Sequence, residues 1–239
     1  MNEFTVITPT GDRPEVFELC CKYVLRQSIL PTQWIIIDDG VVPTQVPDKR
    51  FIHYIRREPD PNYRFHTLPI QMLEAVKHVK HEKIIIVEDD DWYCPTYFEQ
   101  VLKMFDSPRR PILVGQGQAV YYHVPKQKHY THENKEHASW CQTAFRSDFI
   151  DYITKTCKQY LIKKNPFIDM RLWKYPITKY LLLDSKPFCI GMKGLPGRLG
   201  GGSGHRSLGG FNQDVEMTFL RQCIGNDFEL YKKFMIDKR

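Results

Sequence analysis

Apolar residues come in short runs along the N-terminal half, and the runs alternate between strand-like and helix-like spacing. Phe4–Thr8 is a β-branched run closed by Pro9-Thr10-Gly11-Asp12-Arg13-Pro14. Asp12 is placed to cap a helix whose first turn holds Pro14. In that helix Val16, Leu19, Cys20, Tyr23, Val24 and Gln27 recur at helical spacing. Trp34–Ile37 is wholly apolar and ends in Asp38-Asp39-Gly40, and Phe51–Ile55 is a weaker alternating strand. Leu68–Val79 places Leu68, Met72, Ala75, Val76 and Val79 on one helical stripe. Ile84–Val87 is again fully apolar and runs into Glu88-Asp89-Asp90-Asp91, ahead of a helix around Thr96–Met104. Apolar strands separated by helices predict an α/β fold of Rossmann-like type: a mostly parallel central sheet with helices on both faces. In such sheets ligands bind beyond the carboxyl ends of the strands, and all the strong strands here end in polar residues.

Beyond about residue 110 the pattern changes. Ile112–Val124 reads as a long strand or hairpin, Lys126–His137 as a polar loop, and Trp140–Phe145 as a strand. Phe149–Leu161 predicts a helix, Ile168–Leu183 is apolar and aromatic, and Pro187–Met192 precedes a glycine-rich stretch from Gly194 to Gly210. A last amphipathic helix is predicted over Asp214–Cys223. No repeat or linker divides the chain, so one domain over 1–239 is expected, with residues 1–110 binding a ligand and 111–239 carrying its counterpart.

Composition narrows the class. At 42% hydrophobic and 26% charged, the chain can build a core and is not a disordered segment. Lys+Arg 34 against Asp+Glu 28 gives +6, which favours a phosphorylated ligand or a polyanion. The seven cysteines form no C-x-x-C pair, which points to reduced thiols and a cytoplasmic setting. No apolar run approaches the roughly 20 residues of a membrane helix, and Met1–Phe4 has neither the basic nor the apolar region of a signal peptide. No membrane partner is expected.

Four adjacent acids at a strand end repel one another unless a cation is present. Mg²⁺ and Mn²⁺ bind through one or two carboxylates plus phosphate oxygens, so Glu88–Asp91 is a natural clamp for a metal–diphosphate. No other counter-charge is evident for it in the sequence. Asp38-Asp39 is a second carboxylate pair able to accept from ribose hydroxyls or a base N–H. The glycine-rich stretch, with Lys193, Arg198, His205 and Arg206, suits a mobile lid whose backbone approaches phosphates. It lacks the Gly-Lys-Ser/Thr of a Walker A loop.

These residues together resemble a known family. Phe4–Thr10, the helix after Asp12, "IIIDDG" at Ile35–Gly40 and "IIIVEDDDWYCP" at Ile84–Pro95 look like the GT-A glycosyltransferases of family-2 type. "TAFRSDF" (Thr143–Phe149), "IDMRLW" (Ile168–Trp173) and "GHR" (Gly204–Arg206) continue the likeness. The resemblance implies a GT-A fold and a nucleotide-sugar donor, with UDP-sugar expected. It implies that Thr8, Pro9, Thr10 and Arg13 line the nucleotide pocket and that Asp39 (or Asp38) contacts the base. Asp89, Asp90 and Asp91 would form the DXD-type site for Mn²⁺ or Mg²⁺ and ribose, with His205 as a third metal ligand or diphosphate contact. Lys193, Arg198 and Arg206 would hold phosphates. Asp169 would be the general base, with Asp214 in "NQDVEMTFLRQ" as its rival.

The acceptor is read from charge. Pro125–His137, Lys155–Lys164 and Trp173–Tyr180 are basic or aromatic–basic and suit a polyanion. The "KGLPGR…GGGSGHR" tail is similar to phage-type transferases that decorate hydroxymethylpyrimidines in DNA. DNA is therefore the expected acceptor, ahead of a glycan or small molecule. A nucleotidyltransferase would also use strand-end carboxylates but calls for a longer glycine-rich, basic signature than Thr8–Arg13. A non-catalytic DNA-binding module has no need of the acid cluster.

Overall fold

The computed structural model describes residues 3–60, 67–163, 168–183, 186–198, 205 and 207–235. The first half runs β1 (Phe4–Thr10), α1 (Pro14–Leu25), β2 (Gln33–Asp38), β3 (Ile52–Arg56), α2 (Leu68–Ala75), β4 (Lys83–Ile86), β5 (Trp92–Tyr93) and α3 (Tyr97–Phe105). Next come β6 (Leu113–Gln116), β7 (Gln118–His123), β8 (Lys128–Glu133), β9 (Thr143–Arg146), α4 (Ile150–Lys163) and α5 (Ile168–Trp173). The last are β10 (Lys179–Leu182), β11 (Cys189–Lys193), β12 (Asn212–Gln213), α6 (Thr218–Ile224) and α7 (Lys232–Met235). Among the described residues no helix is long and apolar enough to cross a membrane.

A seven-stranded sheet has the order β10-β6-β9-β4-β1-β2-β3. β4, β1, β2 and β3 are parallel neighbours, β10 is parallel to β6, and β9 alone runs against its neighbours β4 and β6. The strands read as unbroken apolar runs because both faces are covered. Val6, Trp34 and Ile36 join α1 and α3 in one buried cluster, whereas Ile7, Ile35 and Ile37 join α2, α4 and α5 in the other. Each such isoleucine, fully buried, contributes about 1.5–3 kcal/mol relative to exposure. Trp34 is accommodated in the core because its indole N–H donates to the Thr8 hydroxyl at 2.9 Å.

A five-stranded sheet, in the order β12-β8-β7-β11-β5, lies beside the first. Ile112–Val124 is not one strand: Gly117 separates β6 from β7, which belong to different sheets. A Cβ at Gly117 would run into the carbonyl of Asn134. Lys126–His137 is not simply a polar loop, because Lys128–Glu133 pairs with β7 as β8. The strand was hidden because it has no apolar face; its outer half is exposed.

The turn after β1 differs from expectation as well. Arg13, not Asp12, is the N-cap of α1, and no side chain caps it. Asp12 takes a positive φ of 56° and its carboxylate instead accepts the Val41 N–H at 2.6 Å. The Pro14 start and the buried stripe of α1 are as the spacing predicts. The last amphipathic helix begins later than Asp214, at Thr218, after Met217 adopts a left-handed φ of 55°.

Candidate active site

β1, β2 and β4 are parallel neighbours, so their carboxyl ends open on one edge of the sheet. Thr10 closes β1, Asp38 closes β2, and Glu88–Asp91 follows β4. Arg13, at the entry to α1, reaches across this edge: its Nη1 lies 2.9 Å from Asp89 Oδ1 and 2.9 Å from Asp90 Oδ2. The Thr10 hydroxyl donates to Asp89 Oδ2 at 2.8 Å. Lys193, at the end of β11, places Nζ 3.5 Å from Asp91 Oδ1, which also accepts the Met192 N–H at 2.9 Å. The acid cluster therefore has counter-charges of its own, contrary to the expectation from sequence. Arg13 stands far off along the chain from Asp89, and Lys193 farther still.

Burial decides the titration of these acids. It pushes Asp89 up to about 6 against the opposing pull of Arg13, and Asp91 up to about 6 against that of Lys193. Burial acts on Asp90 too, but Arg13, Lys193 and His205 together bring it below the usual carboxylate value. Lys193 is buried, which opposes its charge, yet Asp91, Asp90 and Glu88 hold it protonated. His205 is lowered to about 3 by burial and by Lys193, so its imidazole is neutral at pH 7. Its Nε2 lies 3.9 Å from Asp90 Oδ2.

The Asp38-Asp39 pair divides its work. Asp38 is fully buried and shapes the loop, with Oδ1 accepting Gly40 N–H at 2.8 Å and Oδ2 accepting Thr44 N–H and the Tyr54 hydroxyl, each at 2.7 Å. Asp39 faces Arg198, whose Nη1 donates to Asp39 Oδ1 at 2.7 Å and to the Thr67 hydroxyl at 2.8 Å. Arg198 Nη2 also donates to Asp12 Oδ2 at 3.1 Å. This guanidinium is held by Gly197, whose φ of 97° and close approach to the Asp12 carbonyl and Arg13 exclude a Cβ. The start of the glycine-rich stretch is thus docked on the crevice, with Leu195 buried. Residues 199–204 and Arg206, named as part of the lid, lie outside the described residues.

Thr8 and Pro9 are buried in β1, and the Thr8 hydroxyl is taken up by Trp34 rather than turned toward the crevice. Asp169 opens α5, and its Oδ1 accepts the Met170 N–H at 2.8 Å. Burial raises its pKa above the ordinary value, which suits a proton acceptor, while His137 pulls the other way. Tyr121 lies beside the cluster: Lys193 Nζ is 5.6 Å from its ring centroid, and its hydroxyl is hydrogen-bonded to that of Ser139 at 2.6 Å. Asp214 is committed elsewhere. Its two carboxylate oxygens accept the N–H groups of Phe219 and Leu220 at 3.1 and 3.2 Å, serving the first turn of α6.

Several contributing residues escape sequence reasoning. Gln71 Nε2 donates to Thr10 O at 2.7 Å and to Ile37 O and Asp39 Oδ1, each at 3.1 Å, tying two strand ends and the carboxylate together. Its signal was present: it is a polar residue on α2, flanked by apolar ones, that is only 3% exposed. Thr67, Tyr121 and His137 carry no comparable signal.

The crevice offers donor atoms suited to a hard divalent cation. Carboxylate oxygens and a neutral imidazole are suitable ligands, and Asp91 Oδ2 and His205 Nδ1 are buried polar atoms without a hydrogen-bond partner. The residues fit the group. The structure does not, however, gather Asp89, Asp90, Asp91 and His205 around one point, because Arg13 bridges Asp89 and Asp90. Among the described residues the group with metal-ligand spacing is Asp91, Cys141 and Cys189.

No curated protein matches the chain. Among solved structures, the fragment 1–349 of S. aureus TarS is similar with a TM-score of 0.53 and 12% identity, over 80% of this chain and 60% of that one. The same fragment in complex with UDP gives 0.51 and 12%, with the same coverage. A longer S. aureus TarS structure gives 0.51 and 13%, of which this chain spans 36%. The description "Glycosyl transferase family 2" matches residues 5–171. That match takes in the strand ends, the acid cluster and Asp169, and with the GT-A arrangement of the sheet it shows that the chain belongs to glycosyl transferase family 2.

Proposed function

We propose that the protein transfers a sugar from a nucleoside-diphosphate sugar, of the UDP class, to an acceptor hydroxyl, and that the acceptor is a 5-hydroxymethylpyrimidine in DNA. The observation that carries the donor half is the meeting of Asp39, Asp89–Asp91, Arg13, Lys193 and Arg198 at one sheet edge. The UDP complex of TarS supports the choice of nucleotide. In this reading residues 1–110 hold the nucleotide sugar and 111–239 the acceptor, with the glycine-rich lid 193–210 of the second half bringing Lys193, Arg198 and His205 to the donor.

Asp39, positioned by Gln71, accepts from the base, and Asp89 accepts from the ribose. Arg13, Lys193 and Arg198 face the diphosphate, where fixed positive charge is worth most as negative charge develops. Asp89, Asp90, Asp91 and His205 would hold Mn²⁺ or Mg²⁺, which would supply Lewis-acid neutralisation of that diphosphate. Asp169 takes the proton of the acceptor hydroxyl as its oxygen bonds to the anomeric carbon. The bond from that carbon to the diphosphate oxygen breaks, and the nucleoside diphosphate leaves with the electron pair. Attack from the face opposite the leaving group inverts the anomeric configuration.

DNA is favoured by the +6 charge and by the lysine-bearing surface of the second half. Reduced thiols, all seven cysteines being free, accord with a cytoplasmic site of action. The test of the roles is calorimetric and kinetic. Asp169→Asn is expected to abolish transfer while binding UDP with Mn²⁺ as tightly as the wild type, because a base acts on the acceptor. Retained transfer in that variant, or loss of UDP binding, contradicts the assignment.

A further inference from the structure

We propose that Asp91, Cys141 and Cys189 form a binding site for a thiophilic divalent cation of the Zn²⁺ class, and that its occupancy withdraws Asp91 from the donor cluster. The binding stands apart from the proposed function; only its effect on turnover rests on that reading.

The three side chains come from separate, well-anchored places. Asp91 lies between β4 and β5, Cys141 sits in the 3-10 turn Trp140–Gln142, and Cys189 opens β11. β11 pairs with β5 through Cys189 opposite Tyr93 and Ile190 opposite Trp92, and the Met192 N–H fixes Asp91 Oδ1. The turn is held by the Tyr97 hydroxyl, which donates to Cys141 O at 3.0 Å. One ligand atom from each residue lies within 4.8 Å of the others, and all three residues are buried. A tetrahedral zinc site with Zn–S bonds of about 2.3 Å requires only a modest contraction of this group.

An independent observation concerns Asp91 itself. Its Oδ2 is buried and has no hydrogen-bond partner, although the residue is only 1% exposed. Packing alone accounts for two buried thiols, which behave as small apolar groups. It accounts less well for a buried carboxylate oxygen whose neighbour is the Cys141 thiol, a weak donor, in place of an N–H or O–H. A cation satisfies that oxygen and both sulfurs at once. The charges then close: two thiolates and one carboxylate balance the dication together with Lys193, whose Nζ is 3.5 Å from Asp91 Oδ1. Softness selects the metal, since thiolates favour Zn²⁺ whereas Mg²⁺ and Mn²⁺ prefer all-oxygen and imidazole donors.

The test uses the full chain, freed of metal and titrated with Co²⁺ alone as the spectroscopic probe. Expected are thiolate-to-cobalt charge-transfer absorption and the visible bands of tetrahedral cobalt, both removed by Zn²⁺. Cys141→Ser and Cys189→Ser should each abolish the charge-transfer intensity of the missing sulfur. Should those variants fail to fold, zinc-edge X-ray absorption on the wild type decides: sulfur scatterers support the site, and a shell of only oxygen and nitrogen overturns it. In turnover assays with Mn²⁺, Zn²⁺ should inhibit the wild type at least tenfold and the serine variants much less. Cobalt bands without any sugar transfer would uphold this site and sink the proposed function. Transfer without thiolate bands would uphold the function and sink the site.

Discussion

Asp169 and Asp214 are both acidic residues near the start of short helices, and their surroundings differ. Asp214 spends both oxygens on backbone N–H groups of α6. Asp169 engages one oxygen locally, and burial raises its pKa, which leaves it a stronger proton acceptor than an ordinary carboxylate. Two outcomes follow at this scale. Because a base must be ionised to act, kcat should fall as pH falls through the raised pKa of Asp169, so the acid limb lies above the ordinary carboxylate range near 4. A pH–rate profile checks this, and a limb at or below that range contradicts it. Asp214→Ala should cost about 1 kcal/mol of stability, as loss of a helix cap does, with kcat per folded molecule unchanged; thermal unfolding and turnover of the same preparation read both. At this scale the gathering of Asp39 and Asp89–Asp91 at strand ends was legible because each follows directly on an apolar run. The counter-charges were not, since Arg13 meets Asp89 and Asp90 only once β1 and β4 are neighbours.

Elements were legible where burial imposes a period. β1, β2 and β4 are covered on both faces and read as apolar runs, and α1 shows its buried stripe. β8 has no such pattern, and β5 and β12 are two residues long, too short for any periodicity to register. The glycine-rich stretch was read as a phosphate-facing lid from its composition. Its described beginning is a positioned arm: Gly197 brings Arg198 onto Asp39, Thr67 and Asp12. Gly197→Ala places a Cβ against the Asp12 carbonyl at a φ of 97°, where non-glycine residues are strained. The arm must shift, and donor affinity should weaken about tenfold, or roughly 1.4 kcal/mol, with less change in kcat. Calorimetric titration with UDP measures it; unchanged affinity would remove Arg198 from the donor site.

For the molecule as a whole, the parallel order β4-β1-β2 sets where function can lie, because it turns the polar ends of separate chain segments toward one edge. The second sheet reaches this edge through Lys193 of β11, which meets Asp91. The fold class was readable from strand–helix alternation, whereas the second sheet was not, since β5 and β12 span two residues each and β8 is half exposed. The net charge of +6 bears on the acceptor. Binding to duplex DNA should weaken steeply with salt, the slope reporting the phosphates contacted; a salt-independent affinity would remove DNA as the acceptor. The central claim is donor chemistry, and the most direct measurement is release of nucleoside diphosphate from a panel of sugar nucleotides with Mn²⁺ and hydroxymethylated DNA, followed by mass spectrometry of the digested nucleosides. The expected result is UDP release matched by a sugar-bearing hydroxymethylpyrimidine, absent in Asp169→Asn. Failure of every sugar nucleotide to yield its diphosphate, with DNA, glycan or small-alcohol acceptors alike, would contradict the account.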